Sequence, residues 1–427
     1  MSQPKLSLTT RIFIGLIAGI LFGVFVMPLG FMPEWSIEFV KFLGDIFLKL
    51  LKMIVVPLVL ASIILAVAKT ENLARLGKLG FKTVVFYTLT TAAASITGLL
   101  LVNIFKPGTG SNIVLEGGAS VPEVKSIWEI LLSLIPSNPV ASMANMELPA
   151  VIFFALFFGA LLSQTLPKGQ VLLDIFEVIN DIMIQMVHII LKVCPYGIFG
   201  LIAGVMHSTV MRAMEQSGEA AVWSALVEFF VPILAFYFTV LAGLLIHAVV
   251  TLPIILSLVG RENPLKYLRA MGPAMVMAFS TSSSAGTLPV TLDCAIEKGG
   301  VRKETAEFVI PIGATMNMDG TALYLGVSAL FIGQVVGLDL SISQQILVFL
   351  TAMIASVGAA GIPSGSLVLM VIIFNAVGLP MSGVGLLLAV DRFLDMARTM
   401  TNVWGDAIGA KVVDVLEGAE TPEPVSE

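Results

Sequence analysis

Five polar side chains recur along one face of an apolar stretch near the C-terminus. Asp395, Arg398, Thr399, Asn402 and Asp406 occur at positions i, i+3, i+4, i+7 and i+11. In an α-helix, at about 100° per residue, their directions fall within a sector of roughly 100°. Because a charged side chain at the centre of a bilayer costs about 2.5–3.5 kcal/mol on insertion scales, we expect this stripe to face protein, water or a ligand.

The residue types on this stripe suit a ligand with a carboxylate and an ammonium group, together with a cation. The planar guanidinium of Arg398 can pair bidentately with a carboxylate, and Asp395 can hold an ammonium group. Asp406, with the amides of Asn317 and Asn402, offers hard oxygen ligands that suit Na⁺. The alternative is an Asp–Arg pair that satisfies itself and only joins helices, but the additional polar groups on the stripe favour binding.

Two further sets of polar residues interrupt apolar spans. In residues 317–321, an aspartate next to a glycine predicts local unwinding. Asp319 is an intramembrane carboxylate and hence a functional candidate, although it could instead cap a second half-helix, and the two roles are compatible. Tyr87, Thr90 and Thr91 share one helix face, but taken alone this pattern favours hydroxyl groups that bond the preceding turn.

Composition indicates a membrane protein. Apolar residues make up 57% of the 427 residues and charged residues 12%, against roughly 25% charged in soluble domains, and the mean hydropathy is +0.99. No basic patch indicates nucleic-acid binding. Cys194 and Cys294 lie in apolar sequence and are interpreted as buried thiols rather than a disulfide. The scattered His188, His207 and His247 do not have metal-site spacing, so metal catalysis has little support.

Hydropathy predicts six spans before residue 260, since a crossing helix needs about 20 mostly apolar residues. The predicted spans are 11–32, 39–68, 79–105, 149–166, a helix over 169–207 kinked at Pro195 and Gly197, and 222–259. The first is interpreted as a span rather than a removed signal, because it lacks a small-residue cleavage site. Basic residues follow the second and sixth spans and the 106–148 loop is acidic, which predicts both termini in the cytoplasm.

Two later segments have the features of re-entrant hairpins. Segment 270–296 is flanked by basic residues at both ends and has turn-forming residues at 280–289, although a straight span is the alternative. Segment 344–379 contains Gly- and Pro-rich residues 358–366, which a straight helix tolerates poorly. A span with polar residues follows each, at 305–335 and 382–413. This repetition predicts inverted repeats with a binding site near the bilayer midplane.

Four motifs then carry a resemblance to a known family. They are SSSAGTLPVT (282–291), GATMNMDGTALY (313–324), SVGAAGIPSGS (356–366) and DMARTMTNVWGD (395–406), with further support from IPSNPVASMANMELPAVIFF (135–154). The sequence resembles, over nearly its whole length, the dicarboxylate/amino acid:cation symporter family, which comprises the glutamate transporters and their prokaryotic aspartate-transporting relatives.

This resemblance implies an all-α polytopic membrane protein with eight transmembrane helices, two re-entrant hairpins and inverted repeats. It implies a homotrimer in the plasma (inner) membrane, with a static scaffold and a transport domain that moves like an elevator. The expected scaffold is 1–78 and 109–218, and the expected transport domain is 79–108 and 219–416. The acidic, proline-containing tail 417–427 is predicted to be disordered.

The resemblance also implies site residues, matched motif by motif. Asp395 would take the amino group of the substrate and Arg398 its side-chain carboxylate. The implied substrate-binding residues are Ser283, Ser284, Met318, Thr321, Gly361, Ile362, Pro363, Gly365, Ser366, Asp395, Arg398, Thr399 and Asn402. The implied cation ligands are Tyr87, Thr90, Thr91, Gly313, Thr315, Asn317, Asp319, Ser356, Val357, Ala359, Asn402 and Asp406.

Substrate and coupling follow from the same resemblance. Neutral amino acid carriers of the family lack the arginine at 398 and C4-dicarboxylate carriers lack the aspartate at 395, so both together indicate aspartate or glutamate. The retained oxygen ligands favour Na⁺ as the co-transported ion, with no other cofactor.

The alternatives are a proton-coupled glutamate or C4-dicarboxylate carrier and, from another class, a channel or an intramembrane enzyme. An enzyme is disfavoured because Ser282–Ser284 have no histidine in any matching motif. The family's arginine, near Ser282 or at Met396, is absent, so potassium counter-transport is not predicted.

Overall fold

The computed structural model describes residues 8–27, 33–68, 78–115, 127–217, 221–357 and 365–418. Within these ranges the regular structure is helical, and no β-strand is present. Helices satisfy their own backbone hydrogen bonds, which a chain in lipid requires. Five helices are long and apolar enough to cross a membrane: Trp35–Ala68, Lys78–Phe105, Gln170–Glu215, Ala225–Leu258 and Lys303–Val335.

Four helices from the first half of the chain pack on one another. They are α1 (Leu8–Leu21, followed by a π-helical turn Phe22–Val26), α2 (Glu34–Ala68), α6 (Leu148–Gln164) and α7 (Gln170–Ser217). Helix α2 lies against α6 and α7, and α1 lies against α7. Helix α7 continues without a break through Pro195. This confirms the single helix that the sequence predicts over 169–207, and the helix ends later than predicted, at Ser217.

The remaining helices include the last one and those that pack around it. Short helices α4 (Ile127–Ser133) and α5 (Pro139–Ala144) precede α6. The other elements are α3 (Lys78–Phe105), α8 (Ala221–Ile246), a π-helical turn (His247–Thr251), α9 (Leu252–Leu258), α10 (Pro264–Thr281), α11 (Ser284–Glu297), α12 (Lys303–Met316), α13 (Asp319–Val335), α14 (Ile342–Val357), α15 (Ser366–Val377) and α16 (Ser382–Gly418). Helix α16 packs against α3, α8, α10, α11, α12 and α13.

The first predicted hairpin is a pair of packed helices, α10 and α11. Ser282 ends α10 in the left-handed conformation, with φ 52° and ψ 36°. Ser283 then caps α11, because its hydroxyl oxygen accepts the backbone N–H of Gly286 at 3.0 Å. The turn therefore lies within the serine-rich tip that the sequence predicts, and a straight helix through 270–296 is wrong.

The predicted unwinding at 317–321 is confirmed as a break between α12 and α13. Asn317 and Met318 have non-helical backbone angles, and Asp319 is the first residue of α13. Met318 occupies the cap position, where no side-chain bond to the helix is made. The alternative role of Asp319 as a helix cap is therefore wrong.

The second predicted hairpin corresponds to α14 and α15, which pack on each other. Its tip, residues 358–364, lies outside the described residues. The predicted roles of Gly361, Ile362, Pro363 and Ala359 fall in that segment. The tail predicted to be disordered begins at 417, but Glu417 and Gly418 still belong to α16, so that boundary is wrong, and 419–427 lie outside the described residues.

The C-terminal end of α16 is fastened to its neighbours by charged groups. Arg302 Nε is 2.6 Å from Asp414 Oδ1, and Lys82 Nζ is 2.8 Å from Glu417 Oε1. Glu262 lies 3.7 Å from Lys411 Nζ. Partial burial would raise the pKa of Glu262, but the hydrogen bond from Lys266 and the nearby positive charges outweigh it, so this pKa lies below its ordinary value. Basic residues thus cluster at one end of the helices.

The close crossing of α2 and α7 depends on glycine, and one substitution tests it. A Cβ at Gly200 would collide with the Val40 carbonyl oxygen and lie 2.7 Å from the Gly44 nitrogen. Since neither backbone atom can move aside cheaply, Gly200→Val should destabilise the protein by about 1–3 kcal/mol. The control is Gly204→Ala, one turn further along α7, where the nearest atom to the new Cβ is 3.8 Å away. Thermal denaturation in detergent should show a lower melting temperature for the first variant alone; equal melting temperatures would contradict this packing.

Candidate functional site

The polar stripe of α16 is buried. Asp395, Arg398, Thr399, Asn402 and Asp406 expose 6%, 1%, 6%, 2% and 1% of their surface. Helices α10 to α13 pack against α16. The expectation that the stripe faces protein or a ligand is therefore confirmed.

Arg398 lies at the centre of a first cluster, the arginine cluster. Its Nη2 is 2.9 Å from Asp395 Oδ1, 3.1 Å from Asp391 Oδ1 and 2.9 Å from Ser366 Oγ. The guanidinium carbon lies 3.8 Å from the centre of the Tyr324 ring, a cation–π contact. Among the described residues, Arg398 Nε and Nη1 have no hydrogen-bond partner. The two carboxylates therefore compensate the guanidinium charge through Nη2. Within the described part of the chain, Nε and Nη1 are available to another hydrogen-bond acceptor.

Two members of the arginine cluster were not found from the sequence. Asp391 is 3% exposed and precedes Asp395 by four residues and Arg398 by seven. Extending the helical stripe by one turn towards the N-terminus would have included it. Tyr324 lies within a recognised motif, but no spacing rule places its ring against a side chain of another helix.

Asn402 connects α16 to the break between α12 and α13. Its Oδ1 accepts the backbone N–H of Gly320 at 2.8 Å. Its Nδ2 is 3.2 Å from Met318 Sδ and 3.5 Å from Thr321 Oγ1. A Cβ at Gly320 would lie 3.0 Å from the Arg398 Cα, so a glycine lets the two helices approach this closely. The predicted residues Met318, Thr321 and Asn402 are thus together.

A second cluster, the carboxylate cluster, lies on the other side of the break. Asn317 Nδ2 donates to Asp406 Oδ1 at 2.9 Å. Asp319 Oδ1 accepts from Thr91 Oγ1 at 2.6 Å and is 3.3 Å from Thr90 Oγ1. Thr90 and Thr91 lie on α3, Asp406 lies on α16, Asn317 lies in the break between α12 and α13, and Asp319 begins α13. The structure therefore brings Asn317, Asp319 and Asp406, which residue type alone made candidates, together in one cluster. Thr90 and Thr91, for which the helix pattern alone favoured bonds to the preceding turn, lie in the same cluster.

Tyr87 and Gly313 border the carboxylate cluster. The Tyr87 hydroxyl donates to the Val309 carbonyl at 3.0 Å. A Cβ at Gly313 would collide with both the Tyr87 hydroxyl and Asp406 Oδ1. Glycine at 313 thus leaves the space that the Tyr87 hydroxyl and the Asp406 carboxylate occupy.

The carboxylate cluster is a buried region of negative charge. Asp319 is 0% exposed and Asp406 is 1% exposed. Among the described residues, no lysine or arginine comes within 4.0 Å of either carboxylate. Buried carboxylates need a hydrogen-bonded partner or a cation. Carboxylate, amide and hydroxyl oxygens are the ligands that hard cations prefer, so these residues fit an ion such as Na⁺.

A further residue, His247, touches this cluster and lies outside the family motifs quoted above. His247 Nε2 is 2.9 Å from Asp319 Oδ2, and the histidine is 0% exposed. A histidine within an apolar span is itself a signal, since intramembrane ionisable groups face the protein interior.

In the described part of the chain, no group of three or more His, Cys, Asp or Glu side chains could hold a metal ion.

Other predicted residues stand apart from the two clusters in the contacts that their side chains make. Thr315 is exposed and its hydroxyl bonds the Ile312 carbonyl at 3.0 Å, and Ser356 bonds Met353 at 2.8 Å. Val357 lines a cavity of about 160 Å³ together with Tyr87. The predicted roles of Thr315, Ser356 and Val357 as backbone ligands stay predictions.

The two predicted hairpins differ in their contacts with the arginine cluster. Ser366, the first residue of α15, contacts Arg398, and Gly365 precedes it. Ser283 accepts hydrogen bonds from the Gly286 N–H and the Thr287 hydroxyl within its own tip, and Ser284 is buried beside it. The predicted contacts of Ser283, Ser284 and Gly365 with a substrate stay predictions, as does that of Thr399.

Comparisons with known proteins agree with this geometry. The sequence profile of the sodium:dicarboxylate symporter family matches residues 8–416. The chain is 35% identical to the proton/sodium-glutamate symport protein of Bacillus subtilis, covering 99% of this chain and 95% of that protein. It is 36% identical to human excitatory amino acid transporter 3, covering 95% and 84%. It is 33% identical to the proton/glutamate-aspartate symporter of Escherichia coli, covering 97% and 93%. These matches include both clusters, and the chain belongs to the sodium:dicarboxylate symporter family, a family of membrane transporters.

Proposed function

We propose that the protein carries L-aspartate or L-glutamate across the inner membrane by symport with Na⁺. The observation that carries this proposal is the buried Arg398, held between Asp391 and Asp395, whose Nε and Nη1 have no hydrogen-bond partner among the residues that the structure describes. A buried guanidinium with two open donors suits the side-chain carboxylate of an acidic amino acid. The three relatives described above are named as transporters of glutamate, aspartate or excitatory amino acids, which supports this substrate class.

Recognition of the substrate follows from the arginine cluster. Arg398 pairs with the distal carboxylate through its open nitrogens, and Asp395 receives the ammonium group in place of part of its bond to Arg398. A C4-dicarboxylate has no ammonium group and would set a second anion against Asp395. The pocket therefore favours an amino acid over a dicarboxylate, because like charges in a desolvated site repel strongly.

Coupling to a cation follows from the charge around the site. Four buried carboxylates, of Asp319, Asp391, Asp395 and Asp406, face one buried arginine, Arg398. An acidic amino acid brings a further net negative charge. The substrate can therefore enter this region at low cost only when cations accompany it.

The break between α12 and α13 gives the two binding events a shared element. On one side of it, Met318 and Gly320 contact Asn402, next to the arginine cluster. On the other side, Asn317 and Asp319 belong to the carboxylate cluster. A cation that fixes the break in one conformation therefore also fixes the wall of the substrate pocket. Each ligand then raises the affinity of the other by the same factor.

The architecture proposed for this cycle is a homotrimer with eight spans and two re-entrant hairpins per protomer, with both termini in the cytoplasm. The scaffold is 1–78 and 109–218, and the elevator-like transport domain is 79–108 and 219–416. The packing of α1, α2, α6 and α7 on one another, and of α3 and α8–α13 around α16, supports this division.

Uptake of radiolabelled L-aspartate into proteoliposomes tests the function. An inward Na⁺ gradient should drive uptake, and a proton gradient alone should not. Uptake driven only by protons would leave the proposed carrier function standing and would refute the assignment of Na⁺ ligands. Uptake under neither gradient would refute the substrate, and non-saturating flux would indicate a pore instead of a carrier.

Removing the arginine should abolish uptake. Arg398→Ala leaves Asp391, Asp395 and the substrate carboxylate without their shared cation in a buried site, at a cost of several kcal/mol. We expect kcat/KM for L-aspartate to fall at least about 100-fold, since about 1.4 kcal/mol corresponds to a factor of ten. The matched control is Arg392→Ala on the same helix, whose guanidinium is 22% exposed and 3.7 Å from Asp395 Oδ2. Near-normal uptake by Arg398→Ala would refute the assignment.

A methyl group placed beside the carboxylate cluster should weaken cation binding. In Gly405→Ala the new Cβ would lie 2.7 Å from Asn317 Nδ2 and 3.3 Å from Asp319 Oδ2. Displacing the Asn317 amide disturbs its bond to Asp406, so we expect a higher Na⁺ concentration at half-maximal uptake. Gly272→Ala serves as control, because no atom lies within 4 Å of its Cβ position. An unchanged Na⁺ dependence in Gly405→Ala would contradict the cation site.

A further inference from the structure

His247 is a fully buried histidine that contacts the carboxylate cluster from a helix outside the family motifs quoted above. It begins the π-helical turn His247–Thr251 between α8 and α9. Its Nε2 is 2.9 Å from Asp319 Oδ2, and both side chains are 0% exposed. The two residues are 72 positions apart in the chain, so packing alone brings them together.

The local backbone explains how His247 reaches Asp319. Pro253 follows the π-helical turn and lacks the N–H that a regular α-helix would use there. The irregular turn leaves the Ala248 carbonyl accessible, and it accepts Trp404 Nε1 of α16 at 3.0 Å. π-Helical turns of this kind often occur at functional sites. The turn is therefore anchored to α16 at the residue next to His247.

The contact fixes the orientation of the Asp319 carboxylate. An ionised carboxylate only accepts hydrogen bonds, so in a bond to ionised Asp319 the donor is the Nε2–H of His247. Asp319 Oδ2 is thereby occupied by the imidazole. Oδ1 is left facing Thr90 and Thr91, at 3.3 and 2.6 Å from their hydroxyl oxygens. The carboxylate thus presents one oxygen, in one orientation, towards the hydroxyl and amide oxygens of the cluster.

We propose that His247 is a positioning residue for the cation site, acting through Asp319. It sets the affinity for the co-transported cation by holding Oδ2 and presenting Oδ1. This inference rests on the proposed cation coupling and adds to it a residue from the sixth predicted span. Groups that orient a metal ligand through a hydrogen bond typically change metal affinity by about 10–100-fold when removed.

Two substitutions separate positioning from simple filling of space. His247→Met fills the volume but cannot donate, whereas His247→Gln keeps an N–H donor at similar reach. We expect His247→Met to raise the Na⁺ concentration at half-maximal aspartate uptake at least about tenfold. The maximal rate at saturating Na⁺ should stay within about threefold of the wild type, and His247→Gln should restore most of the Na⁺ affinity.

A matched control and an independent readout accompany these variants. Thr239→Val changes another buried polar residue of α8, whose hydroxyl bonds only its own helix, at 2.7 Å from the Ala235 carbonyl. It should leave the Na⁺ dependence unchanged. Stabilisation of the purified protein by Na⁺, measured as the rise in melting temperature in detergent, should require higher Na⁺ in His247→Met. Should that variant not fold, His247→Asn replaces it, because its amide is one methylene too short to reach Asp319.

The outcomes distinguish this inference from the proposed function. Na⁺-driven uptake by the wild type, with an unchanged Na⁺ half-saturation in His247→Met, would overturn the role of His247 alone. A lower maximal rate at unchanged Na⁺ affinity would overturn it too, because that pattern indicates a structural role. Wild-type uptake without any Na⁺ dependence would refute the proposed coupling first, and the positioning role with it.

Discussion

The constraint on which this structure depends is buried negative charge in an apolar bundle. Asp319 and Asp406 are enclosed by helices, and the described residues provide neither with a lysine or arginine. Such groups persist only where hydrogen bonds or cations compensate them. The break at 317–318, the hydroxyl groups of α3 and the histidine before α9 all supply polar contacts to these two carboxylates. Much of the irregular backbone in the second half of the chain is therefore explained by this one need.

Glycine makes the required proximity possible. At Gly313 a side chain would collide with Asp406 and Tyr87, and at Gly405 it would press on Asn317. Close helix approach through small residues is common in membranes, where the hydrophobic effect does not drive helices together. Here the same device also makes room for the polar groups of different helices that form the carboxylate cluster. Packing and binding thus share their sequence requirements at these positions.

The sequence predicts what lies within one helix better than what lies between helices. The stripe on α16 follows from fixed helical geometry, and the unwinding near Asp319 follows from an aspartate next to a glycine. Contacts across helices follow no such rule. Thr91 was expected to bond its own helix but instead contacts Asp319, while Thr90 reaches both the Tyr87 carbonyl and Asp319. His247 could be flagged as an ionisable group in an apolar span, but its partner could not be named.

In the proposed symport, the two clusters together explain why substrate and cation should travel as a unit. Arg398 is held by Asp391 and Asp395, so these two carboxylates compensate the charge of the guanidinium. A substrate carboxylate would compete for that arginine and leave the aspartates less compensated. A cation bound near Asp319 would reduce the excess negative charge and would fix the backbone that Asn402 contacts on the substrate side. Electrostatics and backbone geometry therefore both favour binding of the substrate and the cation together. The substrate alone would leave the aspartates less compensated, and the cation alone would leave the arginine paired only with those aspartates.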